Sequence, residues 1–228
     1  MPVSSPVESR KVQRRREIVR VATRLFAKLG YADCEMDRVA SELGIAKGTL
    51  YLYFSGKQEL FLACVDQGMQ DLQIVLNQAV TSDDDPFARI AQSIWLFLQF
   101  FDANPQHIEL LIQERAIFRD RPQPTFFIYR DARRQRWRDF YQQLIDSGRL
   151  RNDLEIDDLL DSIGNLLYGT MFTNYFVGRS VPLCQQYRAV VEFTFRGMLS
   201  DAERQRLAGT SFVPQALSAT ESSNSGTA

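Results

Sequence analysis

Val39-Ala40-Ser41-Glu42-Leu43-Gly44-Ile45-Ala46-Lys47-Gly48-Thr49-Leu50-Tyr51-Leu52-Tyr53-Phe54 is the stretch whose spacing decides the fold. Apolar residues at Met36, Val39, Ala40 and Leu43 keep helical spacing and stop at Gly44, which suits a tight turn. A second short helix is expected from about Lys47 to Phe54. At 100° per residue, Ala46, Leu50 and Phe54 fall on one face and can lock that helix to a core, whereas Gly48, Thr49, Tyr51 and Leu52 point away. Upstream, Ile18, Val21, Ala22, Leu25, Phe26 and Leu29 predict a longer amphipathic helix over Lys11 to Leu29, closed by Gly30. Downstream, Ser55-Gly56-Lys57 restarts the chain, and Ser55 with Gln58 fits a capping box. The fourth helix carries Leu60, Phe61, Ala63, Cys64 and Val65 and continues as an amphipathic connector to about Val80.

Two short helices around a tight turn, backed by a longer helix, form a helix-turn-helix arrangement. The DNA major groove, about 12 Å wide, admits one helix, which needs a rigid support. The outward face at 47–54 has apolar-bodied side chains and no acid, which is unusual for solvent and sensible for DNA. Gly48 permits close backbone approach, Thr49 can bond a base edge or phosphate, and Leu52 can touch a thymine methyl. Tyr51, Tyr53 and Lys57 can grip phosphates. Taken singly, each tyrosine is ordinary half-buried packing more often than a contact; the pattern around it tips the reading. The charge agrees: residues 1–60 hold 11 Lys/Arg against 7 Asp/Glu, while the rest holds 16 against 21. A basic end on a mildly acidic body suggests an anionic partner for that end. The run Arg10, Lys11, Arg14, Arg15 and Arg16 opens a helix whose macrodipole disfavours cations, a conflict that either solvent or a phosphate resolves.

Leu25-Phe26, Gly30-Tyr31, Val39-Ala40, Leu43-Gly44-Ile45, Lys47-Gly48-Thr49-Leu50-Tyr51, Phe54, Lys57 and Leu60 resemble the N-terminal signature of the TetR family of transcriptional regulators over about residues 15–65. The resemblance implies that Lys47, Gly48, Thr49, Tyr51, Leu52 and Tyr53 sit on the DNA-facing helix and that Lys57 meets a phosphate at the start of the next. Two positions depart from the family. The second helix usually opens with a hydroxyl pair, where this chain has Cys34-Glu35, and Glu35 would repel a phosphate. Tyr53 stands where His is common. The resemblance also implies a dimeric repressor that binds an inverted-repeat operator in double-stranded DNA and releases it on binding a small molecule.

The expected fold is therefore all-α: an N-terminal three-helix DNA-binding domain and a larger helical domain for ligand binding and dimerisation. The boundaries read as a disordered lead at 1–9, the helix-turn-helix domain at 10–56, a connector at 57–80, the larger domain at 81–207 and a disordered Ser/Thr-rich tail at 208–228. Asp85-Pro86 and Asn104-Pro105 each read as an N-cap followed by a first helical residue. Between them Ile94 to Phe101 is apolar on nearly all sides, so that helix must pack on several faces. Long helices are expected over about 125–147, 157–177 and 183–207.

The resemblance implies that the last two helices build a four-helix bundle across a two-fold axis. Their apolar residues wrap nearly the whole circumference, which independently calls for a partner subunit. Leu167, Met171, Val191, Phe195 and Met198 are the candidate interface residues. Trp95, Phe101, Phe118, Tyr168 and Phe172 are candidates for lining a pocket for a small hydrophobic or acyl-type ligand, against the plainer reading that such rings simply fill a core. The cluster Arg130, Arg133, Arg134, Arg136 and Arg138 reads as a solvated face paired with Asp131 and Asp139, or as a site for an acidic ligand.

An enzyme is the main rival class. His107 is the single histidine, and no Gly-rich phosphate loop, nucleophile elbow or CxxC appears, so no catalytic residue, metal ligand or cofactor is assigned. Cys34, Cys64 and Cys184 are scattered, as reduced thiols of a cytoplasmic protein would be. No signal or membrane-spanning segment is expected: the longest uncharged run, Ser162 to Gly178, is interrupted by Asn165, Thr170, Thr173 and Asn174. A pure protein-interaction module is the other rival, and it has no need of the Thr/Tyr-faced third helix.

Overall fold

The computed structural model describes residues 6–78 and 85–210, with side chains from residue 10 onward. The described residues form helices α1 (Pro6–Asp33), α2 (Met36–Glu42), α3 (Lys47–Tyr51), α4 (Lys57–Gln78), α5 (Pro86–Ala103), α6 (Pro105–Ile117), α7 (Thr125–Ala132), α8 (Arg134–Asp146), α9 (Ile156–Val177), α10 (Leu183–Met198) and α11 (Asp201–Arg206). The fold is all-α; the one extended pairing among these residues is a single bridge between Leu150 and Leu199. The expected lead is shorter than the sequence suggests, because α1 already begins at Pro6; residues 1–5, the polar break at 81–84 and most of the tail lie outside the described residues.

The chain divides into two compact units. The first comprises residues up to 71 together with 104–128. Its core is the α1 stripe Ile18, Val21, Ala22, Leu25 and Phe26, joined by Leu50, Phe54, Leu60 and Phe61. Helix α6 packs on α1, and the Gln113 amide donates to the Phe26 carbonyl at 3.0 Å. The rings of Phe26, Tyr31, Phe61 and Phe118 form a contiguous cluster with centroids 5.1–6.1 Å apart. At Gly68 α4 comes close to α6: a Cβ there would lie 2.4 Å from Nδ1 of the half-buried His107. The sequence reading assigned 104–128 to the larger domain. Chain order and a proline-started helix pointed that way, but α6 packs on α1, a pairing far apart in sequence.

The second unit comprises 72–78, 85–103 and 129–210. The Asp85 carboxylate caps α5 by accepting the Phe87 amide at 3.1 Å. Ten residues of α5 are buried, against α9 and α10 among others. Phe87 meets Phe195 and Trp95 meets Tyr187, both edge-on. The single helix expected over 125–147 is broken at Arg133, whose φ −99° and ψ −7° distort the helix too little to disturb the hydrophobic pattern. The helix expected over 183–207 breaks at Leu199 and Ser200, which are extended. Leu199 pairs there with Leu150, and the Ser200 hydroxyl accepts the Glu203 amide to start α11. Arg149 ties these ends together, donating to Glu203 at 2.7 Å and to Asp85 at 2.5 Å.

Candidate nucleic-acid interface

Helix α2 ends in two bonds that fix the turn: the Ile45 amide donates to the Ala40 carbonyl at 3.0 Å and the Gly44 amide to the Ser41 carbonyl at 3.1 Å. This is the Schellman arrangement, and it requires the positive φ (64°) that Gly44 supplies without steric cost. Helix α3 then starts at Lys47 against the first unit's core. Leu50 and Phe54 are buried, and the Arg15 guanidinium lies 4.9 Å over the Phe54 ring, bracing the basic end of α1 on α3. Ala46, expected on the same buried face, is exposed, because the helix begins after it.

The opposite face is open. Leu52 is 77% exposed and Tyr51 46% exposed, and a side chain at Gly48 would meet open space. Thr49 and Tyr53 are half-buried beside them. Leu50, between them in sequence, is fully buried, so one side of this short helix faces the core and the other is open. At the rim, the Lys47 ammonium pairs with Asp37 of α2 at 2.9 Å. Lys57 is placed differently from a free phosphate donor. Its ammonium donates to the Ala32 carbonyl at 2.7 Å and to Glu35 at 2.9 Å, and it lies 4.9 Å over the Tyr31 ring. Ser55 is bridged by Glu59, whose carboxylate accepts from both the Ser55 amide and hydroxyl at 2.7 Å. The expected box of Ser55 with Gln58 is therefore replaced by a one-sided cap in which Glu59 accepts both bonds, because α4 starts one residue later than the box assumed. Cys34, in the hydroxyl position, is buried, and burial pushes its thiol up to about 11; Cys64 rises to about 12 for the same reason. Both are therefore protonated and unreactive at neutral pH. Sequence reasoning named Arg15 only in the basic run and missed both its place over Phe54 and the role of Asp37. Their partners lie 39 and 10 residues away, and no local spacing signals such pairs.

Residues 18–64 match the model of the bacterial regulatory proteins of the tetR family. The matched segment runs from α1 into α4 and so contains the helix-turn-helix; over it the chain is similar to the TetR family's DNA-binding domain. It is 29% identical over 101 residues to the transcriptional activator FasR of Mycolicibacterium smegmatis, covering 44% of this chain and 46% of that protein. To the transcriptional repressor KstR2 of Mycobacterium tuberculosis it is 28% identical over 148 residues, covering 63% and 72%. This chain therefore spans less than half of the first relative's length. The fold is shared more widely. The ketosteroid regulator KstR2 of M. tuberculosis superposes with a TM-score of 0.61 at 20% identity, covering 88% of this chain and 98% of that one. The fatty acid degradation regulator FadR of Bacillus halodurans gives 0.68 at 13% identity, covering 85% and 96%.

The candidate pocket residues divide between the two units. Phe118 belongs to the first unit's aromatic cluster, because it ends α6 beside Tyr31 and Phe61. Trp95 and Phe101 are buried on α5, and Tyr168 and Phe172 stack edge-on at 4.6 Å on α9. The candidate interface residues need correcting. Met171, Val191, Phe195 and Met198 are buried inside one chain, Phe195 against Phe87, and Leu167 is half-buried. What α9 and α10 expose instead are Gly169, Thr173 and Phe176, and Ala189, Phe193 and Gly197, each set on one helical face. Phe193 is 74% and Phe176 65% exposed. Among the described residues no group of His, Cys, Asp or Glu is arranged to hold a metal, and no helix is long and apolar enough to cross a membrane.

Proposed function

We propose that this chain is a cytoplasmic DNA-binding transcription regulator, a repressor that holds an inverted-repeat operator as a homodimer and is released by a small, mainly hydrophobic ligand. The observation that carries the DNA reading is the open face of α3 and the turn that ends it: Gly48, Tyr51 and Leu52 exposed, with Leu50 and Phe54 buried behind them. Lys47, Thr49 and Tyr53 flank the base-reading residues, and residues 10–56 form the reading head. The repressor direction is favoured by the longer overlap with KstR2 than with the activator FasR.

A second copy of the chain is the natural cover for the face made of Phe176, Phe193 and the glycines at 169 and 197, whose missing side chains permit close helix approach. Each copy of such a dimer would bring one α3, and matching half-sites lie about one DNA turn, roughly 34–36 Å, apart. The ligand reading is supported by the aromatic make-up of the second unit and by the names of fold neighbours that act in ketosteroid and fatty acid regulation. A ligand acts on the head only by favouring a conformation that no longer fits both half-sites. The connector at 57–80 is not the sole covalent route for that change. The chain passes between its two units after Asp71, after Ala103 and after Ile128.

Selection from a random DNA pool tests the proposal. Recovery of one palindrome supports it. Recovery of unrelated sequences, with no enrichment, sinks it.

A further inference from the structure

Four of the five arginines around the α7–α8 corner are accounted for. Arg130 donates to Asp131 at 2.8 Å. Arg134 reaches Asp157 at 2.8 Å and Asp161 at 2.6 Å on α9, and Arg138 also holds Asp157. Arg136 is exposed to water. Arg133 differs. Its side chain is half-buried, and its Nη1 is buried without a hydrogen-bond partner among the described residues. The neighbouring acids are engaged elsewhere: Asp131 by Arg130, Asp139 by Gln135, and Asp157 and Asp161 by Arg134 and Arg138.

A guanidinium stays charged at any physiological pH. Burial pushes its pKa down, and the neighbouring cation Arg136 pushes the same way. Removing such a group from water without a counter-charge is unfavourable, so a buried cation is normally paired. Among the described residues no counter-charge meets it, and a bound anion would supply one. Trp137 follows one turn later on the same helix, half-buried, its amide donating to the Arg133 carbonyl at 3.2 Å. A cationic fork and an indole thus neighbour each other along one face of α8, followed by the ring of Phe140 at 5.6 Å from the indole and the buried Tyr141.

We propose that Arg133 is the anion-binding group of a ligand site in the second unit, taking the carboxylate or phosphate of a small molecule whose apolar part lies against the α8 aromatics. This rests on the ligand-released regulator proposed above and narrows its ligand class from apolar to apolar with an anionic end. The earlier cluster of five arginines reduces to one, because the others spend their charge on internal acids or in water.

The test uses the whole protein at pH 7 and three probes with one chain length: dodecanoate, dodecyl phosphate and dodecanol. Calorimetric titration should show the better of the two anions binding at least about tenfold more tightly than the alcohol, and the tighter anion names the head group. Arg133→Met and Arg133→Gln should both lose that preference, while Arg136→Met keeps it. Without probe, Arg133→Met should melt at or above the wild-type temperature, because no internal bond is lost. Equal binding of alcohol and anions, binding of none of the three, an undiminished preference in both Arg133 variants, or a clear drop in their melting temperature overturns the proposal. A DNA selection on the same protein separates the two claims: absence of any enriched operator sinks the regulator reading, whereas the anion preference is read without DNA.

Discussion

The Lys57 ammonium sits 2.9 Å from the Glu35 carboxylate and 2.7 Å from the Ala32 carbonyl, so it closes the corner where α1 hands over to α2. Two of its three donors are thereby used inside the first unit. The acid that the family resemblance made awkward is the group that holds the lysine, and the pair sits at the edge of the expected DNA face. Neutralising the acid with Glu35→Gln should free the lysine for phosphate. Operator affinity should rise at low salt, and the slope of log affinity against log salt should steepen by about 0.9. A salt titration by fluorescence anisotropy reads both; an unchanged slope would leave Lys57 as a structural brace.

Leu52, which ends α3 as its C-cap, is 77% exposed and makes no visible contribution to the core. Leu52→Ala should leave the melting temperature within about a degree, in line with ordinary surface substitutions. It should change preference at one operator base pair by about 1–3 kcal/mol. Binding to a panel of single-base operator variants measures this, and a uniform loss across all of them would place Leu52 outside base reading.

Phe193 and Phe195 are two residues apart and point to opposite sides of α10, one open and one packed on Phe87. Phe193→Arg should yield a folded monomer, since a buried unpaired charge at a dimer face costs several kcal/mol. Phe195→Ala should instead lower the stability of the chain by about 3–5 kcal/mol. Sedimentation and urea unfolding distinguish them; a Phe193→Arg dimer would move the interface elsewhere.

Gly68→Ala tests the α4–α6 approach. Alanine is ordinarily worth about 1 kcal/mol over glycine in a helix interior. Here its Cβ would fall 2.4 Å from Nδ1 of the half-buried His107, so the imidazole would have to shift. Overpacking of this kind costs about 1–3 kcal/mol, so the net sign should be destabilising. Urea unfolding gives the sign directly.

Glu203 is nearly buried between Arg206 at 2.6 Å and Arg149 at 2.7 Å. The hydrogen bond from Arg206, then that from Arg149, holds its carboxyl below the ordinary value of 4.5. A depressed carboxylate contributes stability that is fully present above the unfolded value and is lost as pH falls through the folded one. Stability should therefore decline below about pH 4.5, and Glu203→Gln should remove part of that decline while lowering stability at pH 7 by about 1–3 kcal/mol. Urea midpoints at pH 7 and pH 4 for both proteins check the difference.

The sequence by itself determined the helix-turn-helix. Gly44, the apolar spacing of α2 and the shared face of Leu50 and Phe54 are local facts, because a helical face and a positive-φ turn are written within a few residues. It also determined that the fold is all-α, since no segment alternates with period two. Long-range packing decided the rest. The sequence could not tell that α6 and Phe118 belong with α1, nor that Lys57 is spent on Glu35. It showed that α9 and α10 are apolar around most of their circumference, but not which side faces inward. Only the packing on α5 buried Met171, Val191 and Phe195 and left Phe176 and Phe193 outside. The same holds for the arginines: five like charges on one stretch look alike until the fold supplies acids to Arg130, Arg134 and Arg138, exposes Arg136, and leaves the buried end of Arg133 without a partner. Spacing fixes which side chains share a face, whereas burial and charge compensation depend on what the distant parts of the chain bring against that face.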